Sequence, residues 1–309
     1  MRVTHNMLMQ TALRDIRNSM AGLSRFQEQL ASGKKLSRPS DDPFAVERAL
    51  AFRAELRALE ACRRNIELAD DWLSATDTTL EKLSDIVVRA RNVGIRGADD
   101  SLDAQARGAL AAEAAQLLGS ALQAVNTTVQ GRFLFAGYRS DEPPFVGLDN
   151  AGQPTQNPQA IASIQYVGDD GAMIRALEPG VTLTINITGA EPWLDPAEPG
   201  SLLNVLLQLR DALQANDTGA VRAALDQLDS ALTSALEARA AVGAKLQRLT
   251  LAKDKLDAIS LGLQELLSKT EDTDIAEAMM HFTQQETMYR AALQAAARVL
   301  PMSLLDYLG

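Results

Sequence analysis

The side chains that most often carry catalysis are few in this chain and lie far apart in the sequence. Its two histidines, His5 and His281, lie near opposite ends and lack the short spacing of metal ligands on one helix. The single cysteine, Cys62, excludes a disulfide within the chain and is expected to pack as a small apolar side chain. The sequence therefore predicts no enzyme, no cofactor and no metal site.

Two pairs of adjacent carboxylates, Asp41-Asp42 and Asp99-Asp100, could supply an acid and a base. Side chains of sequence neighbours normally point apart, however, and both pairs lie at predicted helix boundaries. Acidic groups there are favoured by the positive end of the helix dipole. We therefore predict that these carboxylates cap helices.

The elements that would position such groups are helices with apolar seams, most clearly at the two ends of the chain. Apolar or small residues recur there at alternating steps of three and four, a pattern that requires a partner helix. The partner is either the other terminus or a neighbouring copy. We therefore predict a subunit interface at the following positions: Met9, Leu13, Ile16, Met20, Leu23, Leu30, Ile275, Phe282, Tyr289 and Val299.

The charges of the two ends are opposite. Residues 1–35 carry a net charge of +4 and residues 271–309 a net charge of −4. Opposite fields steer association and set its orientation, so they favour pairing of the two ends over two independent solvated faces.

The remaining composition excludes several classes of protein. A net charge of −10 without a basic stripe argues against nucleic-acid binding. No apolar run is long enough to span a membrane, and the N-terminus lacks the apolar core of a secretion signal. By these criteria alone the chain would be cytoplasmic.

The seams predict a mainly α fold. Aromatic residues make up only 4% of the chain, which favours a long helical bundle over a large globular core. Long heptad stretches follow Pro43 and Thr218, and strand-like runs occur at 161–167 and 181–187, with a hairpin turn expected at Gly168–Gly171. We predict a long antiparallel coiled-coil bundle formed by the N- and C-terminal segments, with a small β-rich insert.

The same patterns predict three parts. Terminal helices occupy residues 1–42 and 269–309 and form an assembly core that is disordered in the monomer, because isolated helices of this length are marginal in water. Residues 43–137 and 201–268 form the long helical bundle. Residues 138–200 form the insert.

Several segments of the chain resemble one known family. Residues 30–35 with 40–43, and residues 238–249, closely resemble the N-terminal and C-terminal signatures of bacterial flagellins and flagellar hook-associated proteins. Residues 131–137, 166–171 and 303–308 are similar to those of the hook-filament junction members of that superfamily. The resemblance covers both helical ends of the chain.

This resemblance implies a structural subunit that joins the flagellar hook to the filament by self-assembly, without catalysis. Its partners would be a ring of further copies, the preceding hook-associated protein and flagellin. The insert would face outward, and Leu304, Leu305 and Leu308 would belong to the subunit interface. The protein would be extracellular, exported through the flagellar type III apparatus without a cleaved signal peptide.

A cytoplasmic export chaperone is also implied by the family. Exposed apolar side chains on the C-terminal helix would give it a binding surface, at Met279, Phe282, Met288 and Tyr289. Without the resemblance, these residues would be read as an ordinary core.

Two other functions remain open at this point. A flagellin filament subunit would share the same motifs and fold. A soluble coiled-coil scaffold or signalling dimer would explain the heptads, and it would have folded ends in the free state.

Overall fold

The computed structural model describes residues 5–36, 38, 40, 42–178 and 180–299. Within them the chain is mainly helical, as predicted. The helices are α1 (His5–Ser32), α2 (Pro43–Gly97), α3 (Ala104–Val125), α4 (Leu202–Gln214), α5 (Thr218–Glu271) and α6 (Ile275–Val299). The strands are β1 (Thr128–Val129), β2 (Arg132–Phe133), β3 (Phe145–Leu148), β4 (Ser163–Tyr166), β5 (Ile174–Glu178) and β6 (Val181–Thr184).

The helix boundaries follow from capping residues. The Ala45 N–H donates to the Asp42 carboxylate at 3.0 Å, so Asp42 caps α2 as predicted, and Pro43 occupies the first helical position. Asp103 caps α3 in the same way, through the Ala106 N–H at 2.7 Å. Gly33 ends α1 with a φ of 68°, a left-handed conformation that glycine adopts without strain.

The two long helices bury a heptad seam along most of their length. Every seventh residue of α2 from Leu59 to Val87 is buried, and so is every seventh residue of α5 from Val221 to Leu263. Ion pairs join Arg91 to Asp229 at 2.7 Å and Arg239 to Asp77 at 3.0 Å. Residue numbers rise along α2 as they fall along α5, which makes the coiled coil antiparallel.

Glycines near the end of α2 allow this close packing and do not break the helix. A Cβ atom on Gly94 would lie 2.7 Å from Leu225 Cδ2, and one on Gly97 would overlap Leu213. Helix α2 therefore continues through Gly94 and ends at Gly97. Helix α3 ends at Val125, and the side chain of the next residue, Asn126, hydrogen-bonds the backbone of Phe145.

The insert consists of three separate antiparallel strand pairs, β1–β2, β3–β4 and β5–β6. The hairpin expected around Gly168–Gly171 is wrong, because the strands on either side of this segment pair with other strands. The segment is a loop held by the side chain of Asp169, as described below.

The contacts divide the chain into two compact units. One comprises residues 1–59 and 257–309, and the other comprises residues 60–256. The first unit therefore includes the beginning of α2 and the end of α5 together with α1 and α6. The three-part division at residues 42, 138, 200 and 269 stays a prediction.

Candidate subunit interface

Helices α1 and α6, the first and last of the described chain, pack against each other as an antiparallel pair. This pair is called the hairpin below, although its two helices are not consecutive. The rings of Phe26 and His281 are stacked, with centroids 5.3 Å apart and an angle of 20° between their planes. One turn farther along, a Cβ atom on Gly22 would lie 3.2 Å from Gln285 Oε1. The absence of a side chain on Gly22 therefore lets the Gln285 side chain lie directly against α1.

The predicted stripe of α6 largely coincides with the side that faces α1. Ala278 is buried, and Phe282 and Tyr289 are half-buried. Ile275 is exposed, and Val299 is the last residue of the helix. Leu304, Leu305 and Leu308 lie outside the described residues, so their assignment to the interface stays a prediction.

The predicted stripe of α1 divides between two sides of the helix. Ile16, Leu23 and Leu30 are half-buried. Met9, Leu13 and Met20 are exposed, by 37%, 45% and 59%. The structure therefore gives α1 one side that packs on α6 and a second apolar row that is open to solvent.

Three further residues complete the packed side of α1, and the sequence analysis did not include them in the predicted stripe. Ala12, Ser19 and Phe26 are half-buried and lie seven residues apart. This second heptad register overlaps the register through Ile16, Leu23 and Leu30. Its seven-residue spacing is the signal that could have identified it.

The segment that follows α1 and the segment between α5 and α6 are joined by backbone hydrogen bonds and by a buried carboxylate. The Thr273 N–H donates to the Gly33 carbonyl at 3.0 Å, and the Lys35 N–H donates to the Glu271 carbonyl at 2.6 Å. The Glu271 side chain is only 8% exposed and accepts from Lys34 Nζ at 2.7 Å and from the Arg53 guanidinium. These contacts explain the Gly33-Lys34-Lys35 motif: it attaches α1 to the end of α5.

The opposite charges of the two ends form no ion pair between α1 and α6 in the described parts of these helices. Arg290 pairs with Glu286 one turn away, and Glu277 lies 3.7 Å from His281 on the same helix. On α1, Arg14, Arg17 and Arg25 are exposed. Packing, rather than ion pairing, therefore holds this hairpin together, and these charges remain available to other partners.

The two motifs at residues 131–137 and 166–171 are joined by a network of hydrogen bonds. The Asp169 carboxylate accepts from the Tyr138 N–H at 2.7 Å and from the Gly171 N–H at 3.0 Å. These two N–H groups hold the pKa of Asp169 below its usual value. Gly137 has a φ of 67° and lies so close to Asp169 that a Cβ atom there would overlap it.

Tyr166 belongs to the same hydrogen-bond network. Its hydroxyl lies 2.9 Å from the Phe135 carbonyl and 2.7 Å from the Asp169 carbonyl. Burial raises the pKa of this hydroxyl to about 12, so it remains a hydrogen-bond donor at neutral pH. The motifs at 131–137 and 166–171 thus have a structural role.

The described members of the two carboxylate pairs make structural contacts, but the prediction that both pairs cap helices holds only for Asp42, because Asp103 is the N-cap of α3. Asp42 caps α2, the Asp99 side chain accepts from the Ser101 N–H at 2.9 Å, and Asp100 pairs with Arg222 at 2.8 Å. Asp41 lies outside the described residues. None of the helices, over the ranges described, is long and apolar enough to cross a membrane.

Two comparisons of sequence identify related proteins. The bacterial flagellin N-terminal helical region matches residues 3–140, and the bacterial flagellin C-terminal helical region matches residues 225–308. The flagellar hook-associated protein 3 of Escherichia coli is 26% identical, over 98% of each chain. The flagellin of Bacillus subtilis is 24% identical, over the full length of both chains.

A solved structure shares the fold. A flagellar hook-associated protein of Vibrio parahaemolyticus superposes with a TM-score of 0.65 at 23% identity, covering 75% of this chain and all of that one. The two helical regions matched by the family together span more than half of the chain. These relatives confirm the resemblance to the hook-associated proteins, and the chain belongs to the bacterial flagellin family of structural flagellar proteins.

Proposed function

We propose that this chain joins the flagellar hook to the filament, and that it does so by packing its terminal helices against those of neighbouring copies. The observation that carries this proposal is the exposed apolar row on α1, made by Met9, Leu13 and Met20. The other side of α1 is already packed on α6. Contiguous apolar rows on a soluble surface mark sites of association.

Self-assembly would bury this row. Full burial of a leucine or methionine side chain contributes about 1.5 to 3 kcal/mol. Helix α6 also exposes apolar side chains, with Ile275 and Met279 toward one flank and Met288 on the other. Copies arranged as a ring could therefore use both helices of each hairpin, with one rim meeting the preceding hook-associated protein and the other meeting flagellin.

Export requires a different state of α6. Met279 and Met288 are exposed, whereas Phe282 and Tyr289 are half-buried against α1. All four side chains become accessible together only when α6 is released from α1. A cytoplasmic chaperone would then bind α6 before the hairpin forms, and the chain would leave the cell through the flagellar export apparatus without a cleaved signal peptide.

Deletion of the gene in its flagellated host tests this function directly. We expect hooks without filaments in electron micrographs and flagellin monomer in the culture medium, because filament subunits would be exported without a junction on which to polymerise. Complementation with the wild-type gene should restore filaments.

The same experiment separates the two other functions. Hooks without filaments and without shed flagellin would identify the chain as the filament subunit, a function that the full-length similarity to Bacillus subtilis flagellin also favours. Normal filaments in a host with no second copy of the gene would contradict both flagellar functions. A stable dimer with folded ends would then favour a scaffold.

A further inference from the structure

A basic recess lies where the α1–α2 link meets the end of α5. It has a volume of about 260 Å³ and is lined by four cationic side chains, Arg25, Lys35, Arg48 and Lys269. Among the described residues that line it, Asp42 is the only acidic one, and its carboxylate already accepts the Ala45 N–H at the start of α2. The recess is therefore strongly positive.

Most of these cations have no acidic partner in the described part of the chain. Lys269 pairs with Glu265 at 2.7 Å on its own helix, while Arg25, Lys35 and Arg48 form no ion pair there. Like charges gathered in one recess repel each other, and an incoming carboxylate relieves that repulsion. The recess thus favours an acidic ligand.

An exposed aromatic side chain, that of Phe44, lies one turn along α2 from Arg48, which lines the recess. Phe44 is 78% exposed, and it precedes Arg48 by four residues, so the two side chains lie on the same side of α2. Arginine is enriched among the residues that carry most of the binding energy of interfaces, and a large exposed aromatic ring beside it adds apolar area that a partner can bury. The surface therefore fits a helix that presents one carboxylate and one apolar side chain about a turn apart.

The beginning of α6 presents that combination. Glu277 and Met280 are three residues apart on one flank of α6, and both are exposed, Met280 by 65%. The nearest cationic group to Glu277 among the described residues is His281, which is charged only when protonated. Glu277 does not line the recess of its own chain.

We propose that Glu277 and Met280 of one copy dock on Arg48 and Phe44 of its neighbour in the assembled ring. Glu277 pairs with the basic recess, and the Met280 thioether packs on the Phe44 ring. This inference deepens the proposed function and rests on it. Two different surfaces meet in such a contact, so it is heterologous, the kind of interface that builds a ring when its rotation closes.

The positions of the two surfaces within one copy agree with this arrangement. Copies in a ring are related by rotation about its axis, so the surfaces that meet lie at the same height along that axis. Pairing of Thr273 with Gly33 holds the beginning of α6 beside the α1–α2 link, and Lys35 of that link lines the recess. Both surfaces therefore lie near the same level of the hairpin.

Cross-linking between two tagged forms of the chain tests the contact. Both forms carry Cys62→Ala; one carries Phe44→Cys and the other Met280→Cys, and they are expressed together in the deletion host. A bismaleimide added to purified flagella should yield a dimer that contains both tags. Replacing Met280→Cys by Met279→Cys is the matched control, because Met279 lies on the opposite flank of α6 and should give much less of this dimer.

Charge reversal tests the energetics. Arg48→Glu and Glu277→Arg should each reduce the amount of subunit retained on purified hooks by more than about tenfold, since juxtaposed like charges oppose association. The double variant, which restores opposite charges, should recover most of that loss. Arg57→Glu, an exposed reversal two to three turns farther along α2, should have little effect.

Two outcomes would overturn the proposed contact while leaving the junction function intact. One is filament growth with no dimer between the tagged copies, and the other is a cross-link from Phe44→Cys to a different flagellar protein. Loss of the function itself would be seen separately, as normal filaments in the deletion host before any variant is introduced.

Discussion

Asp169 holds the insert through two backbone N–H groups, and its protonation state therefore affects stability. The carboxylate accepts from Tyr138 and Gly171, and these bonds lower its pKa in the folded chain. A lowered folded pKa means that the contribution is complete above the ordinary Asp value. It is lost as the pH falls from that value through the folded one.

We expect Asp169→Asn to lower the thermal midpoint at neutral pH, because a neutral amide accepts these hydrogen bonds less strongly. The difference from the wild type should shrink as the pH falls below the usual Asp pKa. Thermal unfolding followed by circular dichroism at several pH values would measure it. Asp170→Asn is the matched control, since this neighbouring carboxylate is exposed; an equal pH dependence in both variants would contradict the role of Asp169.

At the scale of elements, Glu271 connects the segment after α1 and the helix α2 to the end of α5. Lys34 comes from the link after α1, Arg53 comes from α2, and both donate to this one buried carboxylate at the end of α5. Removing its charge leaves two cations without their counter-ion and weakens the hydrogen bonds that they donate. Hydrogen bonds to charged groups contribute about 1.5 to 3 kcal/mol each.

We expect Glu271→Gln to reduce the amount of subunit retained on purified hooks, because the hairpin is then less firmly attached to α2 and α5. A loss of about 1.5 kcal/mol corresponds to roughly a tenfold change in the equilibrium for that attachment. Quantitative immunoblotting of purified hooks would measure it. Glu265→Gln removes an exposed ion pair on the same helix, where such pairs contribute little, and should behave as the wild type.

Much of the helical architecture could be predicted from local sequence. Asp42 before Pro43 marks the beginning of α2, and Gly33 marks the end of α1, because capping depends on residues close in sequence. The long seams of α2 and α5 are equally local. In α1, by contrast, two heptad registers overlap, and only the position of α6 decides that Phe26 packs inward while Leu13 stays exposed.

The insert shows the opposite case. Of the described strands, only β4 and β6 lie in the predicted strand runs, and their partners β3 and β5 were not identified, because pairing depends on contacts between separate segments. The role of Asp169 depends on Tyr138, thirty-one residues away, and could not be read from the turn itself. Glu271 was likewise missed, since its partners Lys34 and Arg53 lie more than two hundred residues away.

At the scale of the whole molecule, assembly and folding can be separated with single charges on α1. Leu13→Asp places a carboxylate in the exposed apolar row, and burying it unpaired in an interface costs several kcal/mol. We expect this variant to be exported and to accumulate in the medium without supporting filaments. Asn18→Asp places the same charge at an exposed position of α1 that belongs neither to the apolar row nor to the side packed on α6, and it should support filaments. Normal filaments with Leu13→Asp would contradict the assignment of this row to the subunit interface.

The last expectation concerns the order of the hairpin before assembly. In one copy, α1 and α6 bury only one side each and leave apolar rows in water, and helices of 28 and 25 residues gain most of their stability from packing. Ordering them should therefore coincide with assembly.

Hydrogen exchange of the purified monomer should show fast exchange at residues 5–32 and 275–299, and strong protection along α2 from residue 60 to Gly97. In assembled flagella, both terminal segments should become protected. A variant lacking residues 1–32 should keep the protection of residues 60–256, because these residues form a compact unit of their own. Terminal helices as well protected in the monomer as α2 would mean that the hairpin is stable alone, and neighbouring copies would then dock on it without ordering it.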